Sequence, residues 1–216
     1  MTEQITPWQF HEFDGLDDWR VLFGGACAYF RTDSFETGVA LIAAIGTLAE
    51  AANHHPDVDL RYAGVTVRMM THEVDGLSGR DVELARQISM VAKELDIPAE
   101  PATPQAVRVS IDAVSIPEVM PFWRAVLGYE DLGDEELVDP RGRGPSIWFQ
   151  RISEPREQRN RVHIDISVPH DQAEARVAAA VEAGGELVTD EHAPARWVLA
   201  DAEGTEACVA TWMGRD

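Results

Sequence analysis

Three histidines fall within nineteen residues of the first half of the chain: His54 and His55 in Glu50-Ala51-Ala52-Asn53-His54-His55-Pro56, and His72 at the end of the hairpin that follows. Imidazole titrates near neutral pH, so such a group points to proton transfer or to metal ligation. A helix ending at Asn53 puts Glu50 one turn before His54, where its carboxylate is expected to orient that ring. His55 precedes Pro56 and is driven into an extended conformation, so the two neighbouring rings diverge. The returning hairpin brings His72 back beside the helix end, and Asp81, in the first turn of the next helix, completes the polar set. Each residue also has a bland explanation, since a lone surface histidine is usually inert and Asp81 is accounted for by helix capping. Metal binding by His54, His55 and His72 is disfavoured, because adjacent ligands in an extended segment diverge and neither HExxH nor facial-triad spacing is present.

The elements that must position these residues are legible in the hydrophobic periodicity. Asp33 and Glu36 read as a capping box before Phe35, Val39, Ile42, Ile45 and Ala49, which predicts a helix over 34–52 with those residues on its buried face. Trp19 to Phe30 reads as a strand pair, with Gly24-Gly25 leaving its register open, and Asp59–Tyr62 and Val65–His72 read as a hairpin turning at Ala63-Gly64. Ser78 and Asp81 form a second capping box, and Leu84, Ile88, Val91 and Leu95 mark the stripe of a final helix. Two hairpins separated by a helix, with a second helix behind, predict an antiparallel sheet covered on one face, an α+β fold.

At 216 residues the chain is long enough for two compact domains. The stretch Asp96 to Gln105, with proline at every third position, reads as a stiff extended linker. The expected division is residues 1–97, a linker at 98–105, and residues 106–216. Eighteen Lys and Arg against 38 Asp and Glu give a net charge of −20, which disfavours nucleic acid and anionic membranes as partners. No apolar run approaches a membrane span of about 20 residues, and no basic, apolar leader opens the chain. Cys27 and Cys208 stand far apart without CxxC spacing. A reducing, cytoplasmic setting is expected.

The second segment repeats itself weakly. Val109-Ser110-Ile111-Asp112 is echoed 53 residues later by Val162-His163-Ile164-Asp165. Each strand leads into an amphipathic helix, one from near Ser115 to Gly128 and one from near Asp171 to Gly184-Gly185, and then into further strands. A duplicated strand-helix-strands unit is the reading. Arg141-Gly142-Arg143-Gly144 lacks the lysine and hydroxyl of a P-loop and is expected to be a flexible turn. His170 and His192 are expected at the surface.

Glu50, His54-His55-Pro56, Asp57 to Tyr62, Val65 to Arg68, Thr71-His72, Gly76-Leu77 and Asp81-x-Glu83-Leu84-Ala85-Arg86 together resemble the pterin-4a-carbinolamine dehydratases, from about Phe30 to Ile88. The resemblance implies an antiparallel sheet with helices on one face. It also implies dehydration of 4a-hydroxytetrahydropterin to quinonoid dihydropterin, for recycling of a tetrahydrobiopterin-type cofactor. Pterin is then the substrate; no metal and no cofactor is implied, and a homo-oligomer is. Carried over, the family's active-site histidines fall on His54, His55 and His72, its preceding acid on Glu50 and its later acid on Asp81, while Asp81 and Pro56 are expected at the substrate. His54 and His72 are assigned to proton transfer, His55 to holding the pterin, and Glu50 to orienting His54. Family members usually carry a helix before the first strand, where Thr6 to Asp17 offers only a brief stretch bearing Trp8, Phe10 and Phe13.

Phe122 to Tyr129, Asn160 to Asp165 and Asp201 to Glu206 resemble the glyoxalase-like branch of the vicinal-oxygen-chelate superfamily, which implies a paired βαβββ module over Ala106 to Trp212. Metal-dependent members take His, Gln or Glu ligands from four strands. Here His163 fits, but Arg108 stands on the first strand and Cys208 on the last, with Glu206 and Gln150 as substitutes. A binding or structural module is therefore expected rather than a metal site. Two other readings stand beside the dehydratase: a pterin-binding or protein-interaction module without turnover, and a metal-dependent lyase or dioxygenase in the C-terminal segment.

Overall fold

The computed structural model describes residues 3–22, 25–154, 164–168, 170–211 and 213, in two compact units, Met1–Ala106 and Val107–Asp216. In unit 1 the order is β1 (Gln4–Ile5), α1 (Pro7–Glu12), β2 (Arg20–Leu22), β3 (Gly25–Arg31), α2 (Phe35–Ala52), β4 (Asp57–Arg61), β5 (Gly64–Met69), a 3-10 turn (His72–Val74), β6 (Leu77–Ser78) and α3 (Gly79–Glu94). Strands β2-β3-β5-β4 form an antiparallel sheet, and β1 pairs with β6. Alternation along the strands sends Ala28, Phe30, Val65 and Val67 to one face, where they pack with Leu41 and Ile45 of α2 and Leu84, Ala85 and Ile88 of α3. Burial of each large apolar side chain there contributes roughly 1.5–3 kcal/mol. The opposite face carries Arg31, Asp57, Asp59 and Arg61, all exposed. The fold is the α+β arrangement the pattern predicts.

Local details differ from the sequence reading. Helix α2 is capped by Ser34, whose hydroxyl accepts the Thr37 N–H, because Asp33 takes a left-handed conformation (φ 55°). Its buried face is Gly38, Leu41, Ile45 and Ala49, while Phe35 and Val39 are 53% and 49% exposed. By length and composition α2 would suffice to cross a membrane, but here it covers the sheet of unit 1. The Ser78/Asp81 capping box of α3 forms as expected, whereas Leu95 is exposed and Ala92 takes the last buried position of that helix. The brief N-terminal stretch forms a helix of six residues: α1 begins with a Thr6/Gln9 capping box and inserts Phe10, fully buried, into the core. At the β2–β3 turn, Gly25 has φ 125° and a Cβ there would lie 2.2 Å from the Met69 carbonyl oxygen, so no other residue fits.

The proline-rich segment is not wholly free. Residues 98–100 run along β3: the Arg31 N–H bonds the Pro98 carbonyl at 3.0 Å, the Glu100 N–H bonds the Tyr29 carbonyl at 2.9 Å, and Arg31 meets the Glu100 carboxylate at 3.0 Å. Unit 1 thus extends past residue 97, its expected end, and the division falls after Ala106.

Unit 2 contains β7 (Arg108–Ala113), α4 (Ile116–Leu127), β8 (Glu130–Asp131), β9 (Glu136–Val138), β10 (Ser146–Arg151), β11 (Ile164–Ser167), α5 (Ala173–Glu182), β12 (Glu186–Thr189), β13 (Arg196–Ala200) and β14 (Glu206–Ala210). The two sheets, β7-β10-β9-β8 and β11-β14-β13-β12, share one plan: the fourth strand returns parallel to the first, and the other pairs are antiparallel. The weak sequence repeat is therefore a repeated βαβββ unit. Helix α4 ends at Gly128, whose φ of 70° closes the last turn.

The segment that enters α4 is held from a distance. Ser115 makes no side-chain cap; instead Glu203, in the β13–β14 turn, accepts the Val114 and Ser115 N–H groups at 2.8 and 2.6 Å. That turn is itself fixed by Asp201, which accepts the buried Trp123 indole N–H at 2.9 Å and the Glu203 and Thr205 N–H groups. Glu203→Ala is expected to destabilise unit 2 by about 1 kcal/mol or more, as loss of the acceptor of two charge-assisted hydrogen bonds does. The check is the urea midpoint of unit 2 beside that of Glu203→Gln, which keeps an acceptor and should lose less.

Candidate active site

Helix α2 ends at Asn53, whose left-handed conformation (φ 47°, ψ 44°) turns the chain out of the helix. His54 then points inward, 6% exposed, and its Nε2 lies 2.8 Å from Asp81 Oδ1. Asp81 is fully buried. Its other oxygen accepts the Ser78 N–H at 2.7 Å, the Thr71 hydroxyl at 2.7 Å and the Ser78 hydroxyl at 3.3 Å. One carboxylate thus joins the capping of α3 to His54 and to the residue before His72. A carboxylate only accepts, so His54 Nε2 donates and the neutral ring keeps Nδ1 as an acceptor. Among the described residues Thr32 Oγ1 is the one fully buried side-chain polar atom without a partner, so Nδ1 remains accessible.

His55 faces solvent, and its Nε2 lies 3.2 Å from Glu50 Oε1, with both side chains largely exposed. The expected Glu50–His54 pairing is therefore wrong. The left-handed residue at Asn53 breaks the helical spacing on which it rested, so Glu50 serves His55 and the more distant Asp81 serves His54. Asp81, expected at the substrate, is fully buried with both oxygens engaged, one by His54 and the other by Thr71 and Ser78. Pro56, half-buried, leads directly into β4. His72 opens the 3-10 turn after Thr71, is exposed, and has no ring hydrogen bond among the described residues. Thr71 was in the sequence motif without a role, and its hydroxyl bond to Asp81 is the contact that anchors His72. A cavity of about 900 Å³ elsewhere in unit 1, lined by Asp14, Arg86, Met90 and Lys93 among others, contains none of these histidines.

In unit 2 four of the candidate ligand positions, Arg108, Gln150, Glu206 and Cys208, lie among the described residues. Arg108 spans the sheet to the Glu136 carboxylate at 3.0 Å and the Ser146 hydroxyl at 3.3 Å. Cys208 is buried; burial foremost, then its hydrogen bond with Asp165, pushes the thiol pKa up against the pull of Arg196, so it stays a neutral thiol. Gln150 is exposed and Glu206 half-buried, and His163 lies outside the described residues. Among the described residues no group of three or more His, Cys, Asp or Glu side chains converges on a metal position. The Arg141–Gly144 loop is built rather than loose. Asp139 accepts the N–H groups of Arg141, Arg143 and Gly144 at 2.9–3.0 Å, so its own carboxylate fills the position an anion would take. Desolvation opposes ionisation of Asp139, but those amides and the Arg141 charge outweigh it and hold its pKa below the usual value. His192 is exposed as expected, and the His170 side chain lies outside the described residues.

Unit 1 is thus an α+β module, an antiparallel sheet covered by helices with a carboxylate-held histidine at the end of α2, and unit 2 is a paired βαβββ module. Residues 4–91 match the family described as pterin 4 alpha carbinolamine dehydratase, and residues 108–210 match the glyoxalase-like domain. A relative from Nocardia farcinica (strain IFM 10152), named "Putative pterin-4-alpha-carbinolamine dehydratase", is 40% identical over 78 residues, covering 36% of this chain and 82% of its own. A like-named protein from Aquifex aeolicus (strain VF5) is 34% identical over 84 residues, covering 39% and 85%. The chain belongs to the pterin-4-alpha-carbinolamine dehydratase family. Among solved structures, a transcriptional coactivator/pterin dehydratase from Brucella melitensis aligns over 42% of this chain and 99% of its own, with 27% identity and a TM-score of 0.39. A glyoxalase/bleomycin resistance protein/dioxygenase family enzyme from Burkholderia phytofirmans PsJN aligns over 48% and 95%, with 17% identity and a TM-score of 0.40.

Proposed function

We propose that unit 1 dehydrates 4a-hydroxytetrahydropterin to quinonoid dihydropterin by histidine acid–base catalysis, in the recycling of a tetrahydrobiopterin-type cofactor. The observation that carries this reading is the buried Asp81–His54 pair, set in one polar group with the segment bearing His72. The reaction breaks the C4a–O bond, adds a proton to the departing hydroxyl, and removes one from a ring nitrogen. His54, its Nε2 committed to Asp81, offers Nδ1 as a base of fixed orientation. His72, exposed and unpaired, serves as the partner acid, and His55 with Glu50 binds the pterin and its hydroxyl. The protonation states at each step follow from which ring meets the hydroxyl, and the two roles exchange if the pterin binds in the opposite sense. On this reading the pterin is the substrate, unit 1 needs neither metal nor cofactor, and the protein works in the cytoplasm as a homo-oligomer. The exposed Phe35 and Val39 of α2 support self-association.

The test is the decay of freshly generated 4a-hydroxytetrahydropterin followed by absorbance, with and without protein. A rate enhancement of at least about 100-fold is expected from general acid–base catalysis alone. A folded protein that binds pterin without acceleration would overturn the enzymatic reading in favour of a binding module.

A further inference from the structure

We propose that Arg80 is a positioning residue that fixes the spacing between the two histidine-bearing segments. Arg80 is the second residue of α3. Its Nη2 donates to the Asn53 carbonyl, and its Nη1 meets Glu73 Oε1 at 3.4 Å. Asn53 immediately precedes His54, and Glu73 immediately follows His72. The Asn53 carbonyl lies at the end of α2, where the last carbonyls have no intrahelical donor and a cation is favoured by the helix dipole. A guanidinium suits this position because its fixed fork reaches two acceptors at once, which a lysine ammonium on a flexible stem does less well.

The arrangement gains meaning beside Asp81. Asp81 bonds His54 and Thr71 from the buried side, and Arg80, its neighbour in sequence, bonds Asn53 and Glu73 from the more exposed side. Two consecutive residues in the first turn of α3 therefore clamp the same two segments. His72 is bracketed, with Thr71 held by Asp81 and Glu73 held by Arg80. The Arg80–Glu73 pair is partly exposed and contributes little to stability, so its effect falls on geometry. A displacement of about 1 Å at a catalytic group can cost on the order of 100-fold in rate.

The geometric part stands without the dehydratase reading, while the kinetic part rests on it, and the experiment separates the two. Imidazole Cε1–H resonances are recorded for the full chain and for Arg80→Met and Arg80→Lys, the second retaining the charge should the first fold poorly. The resonances of His54 and His72 are expected to move, more in Arg80→Met than in Arg80→Lys, while that of His11, which bonds neither Arg80 nor its acceptors, stays. Resonances of His54 and His72 unchanged in a folded Arg80→Met protein would overturn the proposal. In the dehydration assay, Arg80→Met is expected to lower kcat by roughly 10- to 100-fold with KM nearly unchanged. In a His72→Ala background the same substitution should lower kcat by a smaller factor than in the wild type, because one of the two rings whose spacing Arg80 sets is gone. A full loss in that background would reduce Arg80 to a general stabiliser and overturn the proposal. Shifted resonances in a protein whose wild type shows no turnover would instead sustain Arg80 as a positioning residue and defeat only the dehydratase reading.

Discussion

Asp81→Asn is expected to fold and yet to lose about 100- to 10,000-fold in dehydration rate. Three donors converge on Asp81 Oδ2, so an asparagine keeps its oxygen there and turns its amide NH2 towards His54. His54 Nε2 must then accept a hydrogen bond, which moves the ring proton to Nδ1 and converts the accessible nitrogen from acceptor to donor. The upper end of the range is the cost of the same substitution in a serine-protease triad, where it imposes the wrong tautomer. Asp81→Ala acts differently: it leaves the Ser78 N–H, the Thr71 hydroxyl and His54 without their acceptor in a buried site, while the Ser78 hydroxyl keeps Thr71 Oγ1 at 2.7 Å, at about 1–3 kcal/mol for each group that water cannot reach. A destabilisation of about 3 kcal/mol or more is expected, measured by urea unfolding, with the asparagine variant close to wild type. Wild-type turnover in Asp81→Asn would show that the tautomer of His54 is irrelevant and that Asp81 serves only to cap α3.

How much of this was legible in the sequence depends on whether a feature is set by local periodicity or by distant contacts. The sheet, both long helices of unit 1 and the α3 capping box follow from spacing and capping residues, and they are found where the pattern puts them. The duplicated βαβββ plan of unit 2 follows from a short repeat in the same way. What the pattern could not reveal was which side of an apolar helix is covered. Helix α2 is apolar almost all round, so periodicity placed Phe35 and Val39 inward, while the structure buries Gly38, where a Cβ would lie 2.3 Å from Leu60 Cδ1. The pairing of Glu50 with His54 failed because the helix geometry stops at Asn53, one of the few non-glycine residue types that readily take the left-handed conformation closing a helix. The contacts of Asp81 with His54, 27 residues away, and of Glu203 with Ser115, 88 residues away, have no signature in spacing at all. Arg80 was missed for the same reason, since neither of its acceptors lies within a helical turn of it.

His72→Ala is expected to separate catalysis from stability more cleanly than any other change in the cluster. The ring is exposed, makes no hydrogen bond among the described residues, and opens a 3-10 turn that Thr71 and the backbone already hold, so its removal should cost less than about 0.5 kcal/mol. If His72 donates or accepts a proton in the rate-limiting step, kcat falls by about 100-fold or more, the contribution of one positioned acid or base. His54→Ala makes the contrast: it empties a buried position and strips Asp81 of its partner, so activity and stability fall together and neither can be assigned alone. His55→Ala removes an exposed pair with Glu50 worth at most about 1 kcal/mol, and on its proposed binding role it raises KM more than it lowers kcat. The three alanine variants therefore predict three different combinations of urea midpoint, kcat and KM. A His72→Ala protein with wild-type kcat would remove His72 from the chemistry and leave the proton transfers to His54 and His55.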